Sequence, residues 1–167
     1  MSIQFALVAV TLLTFASASL FAVLEIRRAN RARQEKAAFD LFMSVIIEAE
    51  HVQALFTVLK LPEGASPRRI VRSKELMRAA NLLMFQYEFF GVTVFQRIVP
   101  LRTFDLLTGG VVRSCWKKLA PYIEAERKAT GSPNIAEWFQ WLAEQLEQHA
   151  APEKKLGAHV AFRSWSP

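Results

Sequence analysis

Residues that commonly build metal and cofactor sites are scarce in this sequence. It contains one cysteine, Cys115, and three histidines among 167 residues. A single cysteine excludes an internal disulfide, a thiolate zinc finger and an iron–sulfur cluster held by this chain alone. Cys115 lies between Ser114 and Trp116 in an amphipathic stretch, and we interpret it as a buried structural thiol. We expect no cofactor.

Recognisable catalytic motifs are also missing. Gly109-Gly110 is too short for a phosphate-binding loop, and no G-x-S-x-G or H-E-x-x-H motif occurs. Glu48 and His51 form a single Glu-x-x-His pair, whereas di-iron bundles need two such pairs and two further glutamates. The sequence therefore predicts no metal site and no catalytic residue, and it favours a non-enzymatic protein.

Apolar residues and positive charge are abundant by comparison. The hydrophobic fraction is 52%, with 13 Phe and 4 Trp, so the chain can build a sizeable core. The charged fraction of 22% excludes a disordered chain. A net charge of +6 suggests an anionic partner, whose nature depends on where the cations lie.

The longest uncharged run extends from Ile3 to Leu24. As a helix its 22 residues would span about 33 Å, enough for the hydrocarbon core of a bilayer. A cleaved signal peptide is the alternative, because Ala16-Ser17-Ala18 resembles a cleavage site, but no Lys or Arg precedes the run. We predict a retained transmembrane anchor at residues 1–26.

A basic segment at residues 27–36 follows the predicted anchor. Such a cluster favours the cytoplasmic side of a membrane, so the prediction is an outer amino terminus and a cytoplasmic remainder at the plasma membrane. The unpaired Cys115 fits that reducing compartment. The basic residues are Arg27, Arg28, Arg31, Arg33 and Lys36.

The rest of the chain has helical periodicity and no convincing strand pattern. Apolar residues recur at helical spacing from Gln34 to Leu61. Ser66 and Pro67 are typical of a helix start, and the next helix should end near Val99, before Pro100.

Two further helices are expected towards the carboxy terminus. One should run from Leu101 to about Thr130, interrupted at Gly109-Gly110 and kinked or restarted at Pro121. Asn134 and Glu137 predict an N-cap and capping box for a last helix that ends near Gln148. The predicted fold is all-α, with the transmembrane helix followed by a three- or four-helix cytoplasmic bundle at 37–149 and an irregular tail at 150–167.

A second basic cluster occupies the predicted start of the Pro67 helix, with Glu75 as its one acid. Cations there oppose the helix dipole, at about 0.3–1 kcal/mol each when exposed. Three readings stay open: a solvated face, contact with anionic lipid or an acidic partner, and nucleic acid, which the absence of interleaved aromatics disfavours. The cluster comprises Arg68, Arg69, Arg72, Lys74 and Arg78.

Asn81 and Glu88 interrupt an otherwise apolar helix and are seven residues apart, so they share a face. A buried carboxylate must be paired, hydrogen-bonded or protonated. Arg113, Lys117 and Arg127 are candidate partners on the next helix. We interpret Asn81, Glu88 and Arg127 as a buried polar lock that fixes helix register, and a functional carboxylate is the alternative.

The same helix is apolar on nearly every side between Leu82 and Phe95. A helix of that kind is buried or covered by a partner. The last helix adds further aromatic residues. We therefore expect a partner surface formed by Phe89, Phe90, Phe95, Trp138, Phe139 and Trp141.

Several motifs in the second half follow one another in a specific order. They are Asn81 with Glu88-Phe89-Phe90-Gly91-Val92, the stretch from Trp116 to Ile123 with Arg127, and the stretch from Glu137 to Leu142. With an apolar amino-terminal helix, this set resembles the DUF4760 family over residues 75–145, and residues 34–74 show no useful match. The resemblance implies a small bacterial membrane-anchored helical protein, and it implies no activity and no catalytic residues.

The expected function is that of a membrane-anchored interaction module or accessory subunit at the bacterial inner membrane. Its partner would be an unidentified protein or a second copy, with neither nucleic acid nor a small-molecule substrate indicated. One alternative is a regulator that binds anionic lipid through the second basic cluster. The other is an enzyme of unknown class that uses Glu88 or the Glu48/His51 pair.

Overall fold

The computed structural model describes residues 2–149, 158–161, 163, 164 and 166. Regular structure in these ranges is helical throughout, which confirms the all-α prediction. The chain divides into two compact units, residues 1–40 and residues 41–167, and the second is a helical bundle. The helices are α1 (Ser2–Ile46), α2 (Ala49–Leu59), α3 (Pro67–Arg72), α4 (Lys74–Phe95), α5 (Leu101–Phe104), a π-helical turn (Asp105–Gly109), α6 (Gly110–Thr130), α7 (Glu137–Gln148) and α8 (Ala158–Ala161).

The predicted transmembrane anchor at residues 1–26 is wrong. No helix within the described residues combines the length and the apolar character that a membrane span requires. The side chain of Ile3 lies outside the description. Exposed residues that follow on α1 include Leu24, Arg27, Arg28, Arg31 and Arg33.

The helix predicted from Gln34 to Leu61 is broken in two. α1 ends at Ile46, and Glu48 takes an extended backbone, with φ −62° and ψ 131°, immediately before α2 begins. No glycine or proline marks the break. Once α2 changes direction, its residues His51, Ala54 and Val58 are buried against the bundle.

The helix predicted from Pro67 to Val99 is also broken, at Ser73. Ser73 has an extended backbone, with φ −109° and ψ 112°, and its hydroxyl oxygen accepts a hydrogen bond of 3.2 Å from the Leu76 amide. This is an N-cap, which satisfies one of the free amides at the start of α4. Pro67 opens α3 as predicted, although the hydroxyl of Ser66 makes no cap hydrogen bond.

The interruption predicted at Gly109-Gly110 is replaced by the π-helical turn, which joins α5 to α6 without a break. Gly109 is confined by its surroundings, because a Cβ atom there would collide with the carboxylate of Asp105. That carboxylate is paired with Arg113 Nη1 at 2.9 Å, and the same nitrogen donates to the Leu146 carbonyl at 3.1 Å. Arg113 of α6 thereby connects the π-helical turn to α7.

Pro121 lies inside α6, which continues to Thr130 with no restart. Proline lacks the amide that would bond to the carbonyl four residues earlier, so the Lys117 carbonyl is left without its helical donor. The Gly64 amide donates to that carbonyl at 3.3 Å, and Lys118 Nζ donates to the Leu61 carbonyl. The Lys117 carbonyl therefore helps to hold the loop between α2 and α3 against α6.

The core of the second unit is rich in aromatic contacts centred on α4. Phe42, Phe90 and Phe104 form one group, with ring centroids 5.6–5.8 Å apart. Phe139 of α7 lies 4.9 Å from Tyr87 and 5.2 Å from Trp116. α4 packs against α2, α3 and α7, so it is the central element of the bundle.

Part of the segment predicted as an irregular tail is helical, since residues 158–161 form α8. Residues 150–157, 162, 165 and 167 lie outside the described residues.

The close approach of α4 to α7 generates a stability prediction. A methyl group at Gly91 would overlap the main-chain carbonyl of Trp138, so Gly91→Ala should lower the free energy of unfolding by about 1–3 kcal/mol. Gly110→Ala is the matched control, because its added Cβ would have no neighbour within 4 Å and should stabilise the helix by roughly 0.5–1 kcal/mol. Urea unfolding measures both, and a Gly91→Ala protein as stable as wild type would contradict the packing described.

Candidate functional site

α4 presents two apolar faces, and only one of them is buried. Leu83, Tyr87 and Phe90 point into the core. On another side Phe85 is 77% exposed and Phe89 is 44% exposed. Leu82 and Val92 are half-buried and extend the same stripe, because residues three and four apart are neighbours on a helix.

An aromatic cluster continues this stripe at the end of α4. The Phe95 ring lies 4.7 Å from the ring of Trp138 and 5.7 Å from that of Trp141, and the two tryptophans are 5.9 Å apart. Phe95 is 55% exposed, and both tryptophans are half-buried. We call the whole surface the exposed apolar face: Leu82, Phe85, Phe89, Val92, Phe95, Trp138 and Trp141.

The expected partner surface is divided by the structure. Phe89, Phe95, Trp138 and Trp141 belong to the exposed apolar face. Phe90 and Phe139 are fully buried and belong to the core groups described above. Sequence reasoning did not single out Phe85, although its spacing of four residues from Phe89 was an available signal.

Glu88 positions the α7 side of this surface. Its Oε2 accepts hydrogen bonds of 3.0 Å from the amides of both Trp138 and Phe139. α7 has no side-chain cap of its own, since the residue before it, Ala136, has a left-handed backbone with φ 55°. A carboxylate at this place accepts hydrogen bonds from free amides, and the positive end of the helix dipole stabilises its negative charge. Glu88 is therefore an N-cap supplied by another helix.

The capping box predicted from Asn134 and Glu137 does not form. The Asn134 main-chain carbonyl accepts a 3.3 Å hydrogen bond from the Glu137 amide, and no side chain of the local sequence caps α7. Asn134 and Glu137 correctly predicted the turn and the start of α7, but the side chain that caps the helix is Glu88 of α4.

Arg127 and Asn81 form contacts other than those expected of a single lock with Glu88. Arg127 donates from Nε to the Ile135 carbonyl at 2.8 Å, and from Nη1 to Glu124 at 2.8 Å and Gln140 at 2.7 Å. Asn81 is exposed. Its Oδ1 accepts a 3.3 Å hydrogen bond from the Tyr122 hydroxyl. Glu88 and Arg127 thus hold the entry to α7 through separate atoms, and Asn81 joins α4 to α6.

The second basic cluster is exposed throughout. Arg78 pairs with Glu50 of α2 at 3.2 Å. The other four cations have no ion-pair partner among the described residues. They are Arg68, Arg69, Arg72 and Lys74.

Glu48 and His51 are separated by the start of α2. Glu48 is exposed, whereas His51 is buried and shares a 2.6 Å hydrogen bond between its Nδ1 and Gln86 Oε1. Within the ranges that the structure describes, no group of three or more His, Cys, Asp or Glu side chains is placed to hold a metal ion.

Cys115 is buried, as predicted. Burial raises the pKa of its thiol to about 11. The Tyr87 hydroxyl lies 3.9 Å from its Sγ, and burial also raises the pKa of Tyr87 well above its usual range. Both groups stay protonated and neutral near pH 7, which suits a core contact.

These features define a helical bundle with an exposed apolar face. The chain belongs to the family described as Domain of unknown function (DUF4760), whose family model matches residues 4–146. The match confirms the resemblance and extends it through residues 34–74. No curated protein and no solved structure matches the chain.

The Glu88 cap predicts a graded loss of stability. Glu88→Ala leaves the Trp138 and Phe139 amides without an acceptor, so the free energy of unfolding should fall by about 1–3 kcal/mol. Glu88→Gln keeps an oxygen in place but loses the charge, so its loss should be smaller. Glu144→Gln removes the same charge from an exposed position of α7 and should change stability by less than about 0.5 kcal/mol. Urea unfolding distinguishes these cases, and equal losses for Glu88→Gln and Glu144→Gln would argue against the cap.

The buried thiol predicts slow alkylation in alkaline solution. At pH 9 an unfolded cysteine is about half ionised, whereas native Cys115, with a pKa of about 11, stays largely protonated. Labelling by iodoacetamide should therefore require opening of the bundle. Stability should fall as pH rises from 9 towards 11, because the unfolded chain releases the thiol proton first.

The control for labelling is Ser132→Cys in a Cys115→Ala background, since Ser132 is exposed in the turn before α7. Mass spectrometry should find rapid modification of the thiol introduced by Ser132→Cys and none of native Cys115 over the same period. Comparable rates at the two positions would contradict the burial of Cys115.

Proposed function

We propose that this protein is a non-catalytic interaction module, an accessory subunit that binds a helix of another protein on the exposed apolar face. The observation that carries the proposal is the exposure of Phe85, Phe89 and Phe95 along one helix of a folded bundle. Contiguous apolar surface of this kind commonly marks a protein-binding site.

The shape of the face favours a helical partner. Leu82, Phe85, Phe89 and Val92 form one stripe along α4, and Phe95 continues it towards the tryptophans of α7. A second helix laid along the stripe would bury these side chains as in helix-in-groove recognition. Aromatic anchors lose little conformational freedom on binding, so they contribute strongly to affinity.

The charges beside the face indicate the chemistry of the partner. Glu137 and Glu144 are exposed on α7. They lie four and three residues from Trp141, so they border the tryptophan on its own side of the helix. Carboxylates at the rim favour a partner whose apolar stripe is flanked by Lys or Arg. We therefore commit to a basic amphipathic helix as the occupant.

Site-specific photo-crosslinking tests this proposal. A photoreactive phenylalanine analogue is placed at Phe85 or at Phe89 in the full-length protein, and at Lys128, an exposed position of α6, as control. We expect the same adduct from the first two positions and none from the third. The crosslinked segment should be apolar and flanked by basic residues.

The segment is then synthesised and its affinity for the purified protein is measured. Phe85→Asp and Phe89→Asp should each weaken binding at least about tenfold, since burying an unpaired carboxylate is unfavourable. The circular dichroism of both variants should match wild type because both side chains are exposed. An adduct with a second copy of this chain, or a peptide bound equally by wild type and variants, would overturn the proposal.

A further inference from the structure

We propose that the junction of α2, α3 and α4 is a binding site for a phosphomonoester. This inference is independent of the proposed function, because it concerns a different surface. The junction holds a recess of about 330 Å³, within the size range of small-molecule sites. The lining residues used below are Thr57, Lys60, Arg69, Ser73 and Glu75.

The breaks between helices bring these residues together. Lys60 directly follows the last residue of α2, and Arg69 lies on the short helix α3. Ser73 is the extended residue that separates α3 from α4. In one straight helix over residues 67–95, Arg69 and Ser73 would lie along a convex surface. The bend at Ser73 separates α3 from α4, so both residues line a concave surface with Lys60.

The two cations that line the recess are available to an incoming anion. Lys60 and Arg69 are exposed and form no ion pair within the described part of the chain. In contrast, Arg78, Arg113 and Arg127 each have a carboxylate partner. The other unpaired cations of the second basic cluster add further charge nearby, so the local potential favours an anion.

The hydrogen-bonding groups of the recess suit a phosphate more than a lone halide or carboxylate. Arg69 offers a planar set of N–H donors and Lys60 a mobile ammonium group. Ser73 Oγ accepts from the Leu76 amide, and its own proton is used in no described hydrogen bond, so it is free to donate. Three donors match the three terminal oxygens of a phosphomonoester.

Thr57 and Glu75 define the direction of the ester group. The Thr57 hydroxyl already donates to the Gln53 carbonyl at 2.8 Å, so it offers an acceptor rather than a donor. Glu75 repels the phosphate but accepts hydrogen bonds from hydroxyls. Both residues also line a neighbouring recess of about 400 Å³ that extends between α2 and α4. A hydroxylated substituent, such as glycerol or a sugar, would extend into that space.

Calorimetry and vesicle sedimentation with the full-length protein test the site. The probes are inorganic phosphate, glycerol 3-phosphate, and phosphatidylcholine vesicles with or without phosphatidic acid. We expect saturable, salt-sensitive binding of glycerol 3-phosphate or of the phosphatidic acid vesicles, with inorganic phosphate weaker. Binding of the first indicates a soluble ligand, and binding of the vesicles alone indicates a lipid headgroup, both of which support the proposal.

Matched charge variants locate the binding. Lys60→Gln and Arg69→Gln should each weaken it at least tenfold, and Glu75→Gln should strengthen it. Lys128→Gln makes the same change in net charge but lines neither recess, so it should have no effect. Phe85→Asp should also leave binding unchanged, which separates this proposal from the function proposed above.

Two results would overturn the proposal. One is the absence of saturable binding with every probe. The other is equal weakening by Lys60→Gln, Arg69→Gln and Lys128→Gln, which would indicate attraction to net charge rather than to a site. Circular dichroism of each variant establishes that the bundle is folded, and all four substituted side chains, those of residues 60, 69, 75 and 128, are exposed.

Discussion

The two hydrogen bonds from the Trp138 and Phe139 amides to Glu88 hold the start of α7 against α4, and both the core and the exposed apolar face depend on them. Phe139 places its ring in the core beside Tyr87, while its neighbour Trp138 turns its ring towards Phe95 at the surface. A helix that lacks its own cap begins where another element satisfies its amides. The carboxylate therefore sets the register of α7 and, with it, the position of both rings.

Two other groups hold the same junction. Gly91 lies one turn after Glu88 on α4, and its missing side chain leaves room for the Trp138 carbonyl. Arg127 bonds to the Ile135 carbonyl and to Gln140, on either side of the residues that Glu88 caps. Glu88, Gly91 and Arg127 thus contact successive parts of residues 135–140. Together these contacts fix the position of Trp138, and so the α7 side of the exposed apolar face.

Sequence reasoning predicted the features that depend on local patterns. The all-α class follows from periodicity, the start of α3 from Pro67, and the need for a partner to Glu88 from its apolar surroundings. It failed where a distant residue decides the outcome. The Gly64 amide supplies the donor that Pro121 lacks, so α6 needs no restart, and Glu88 replaces the predicted capping box. The breaks at Glu48 and Ser73 carry no glycine or proline. At Ser73 the serine hydroxyl caps α4, whereas Glu48 makes no side-chain cap hydrogen bond.

α4 can serve two surfaces because its sequence changes character along its length. Its first turns carry Lys74, Glu75 and Arg78, which belong to the polar junction with α2 and α3. From Leu82 onwards it is apolar on most sides, so it contributes to the core and to the exposed apolar face at once. Leu82 is the point of transition, since it lines the larger recess and also begins the stripe. One continuous helix thereby separates a charged surface at its start from a hydrophobic surface along the rest of its length.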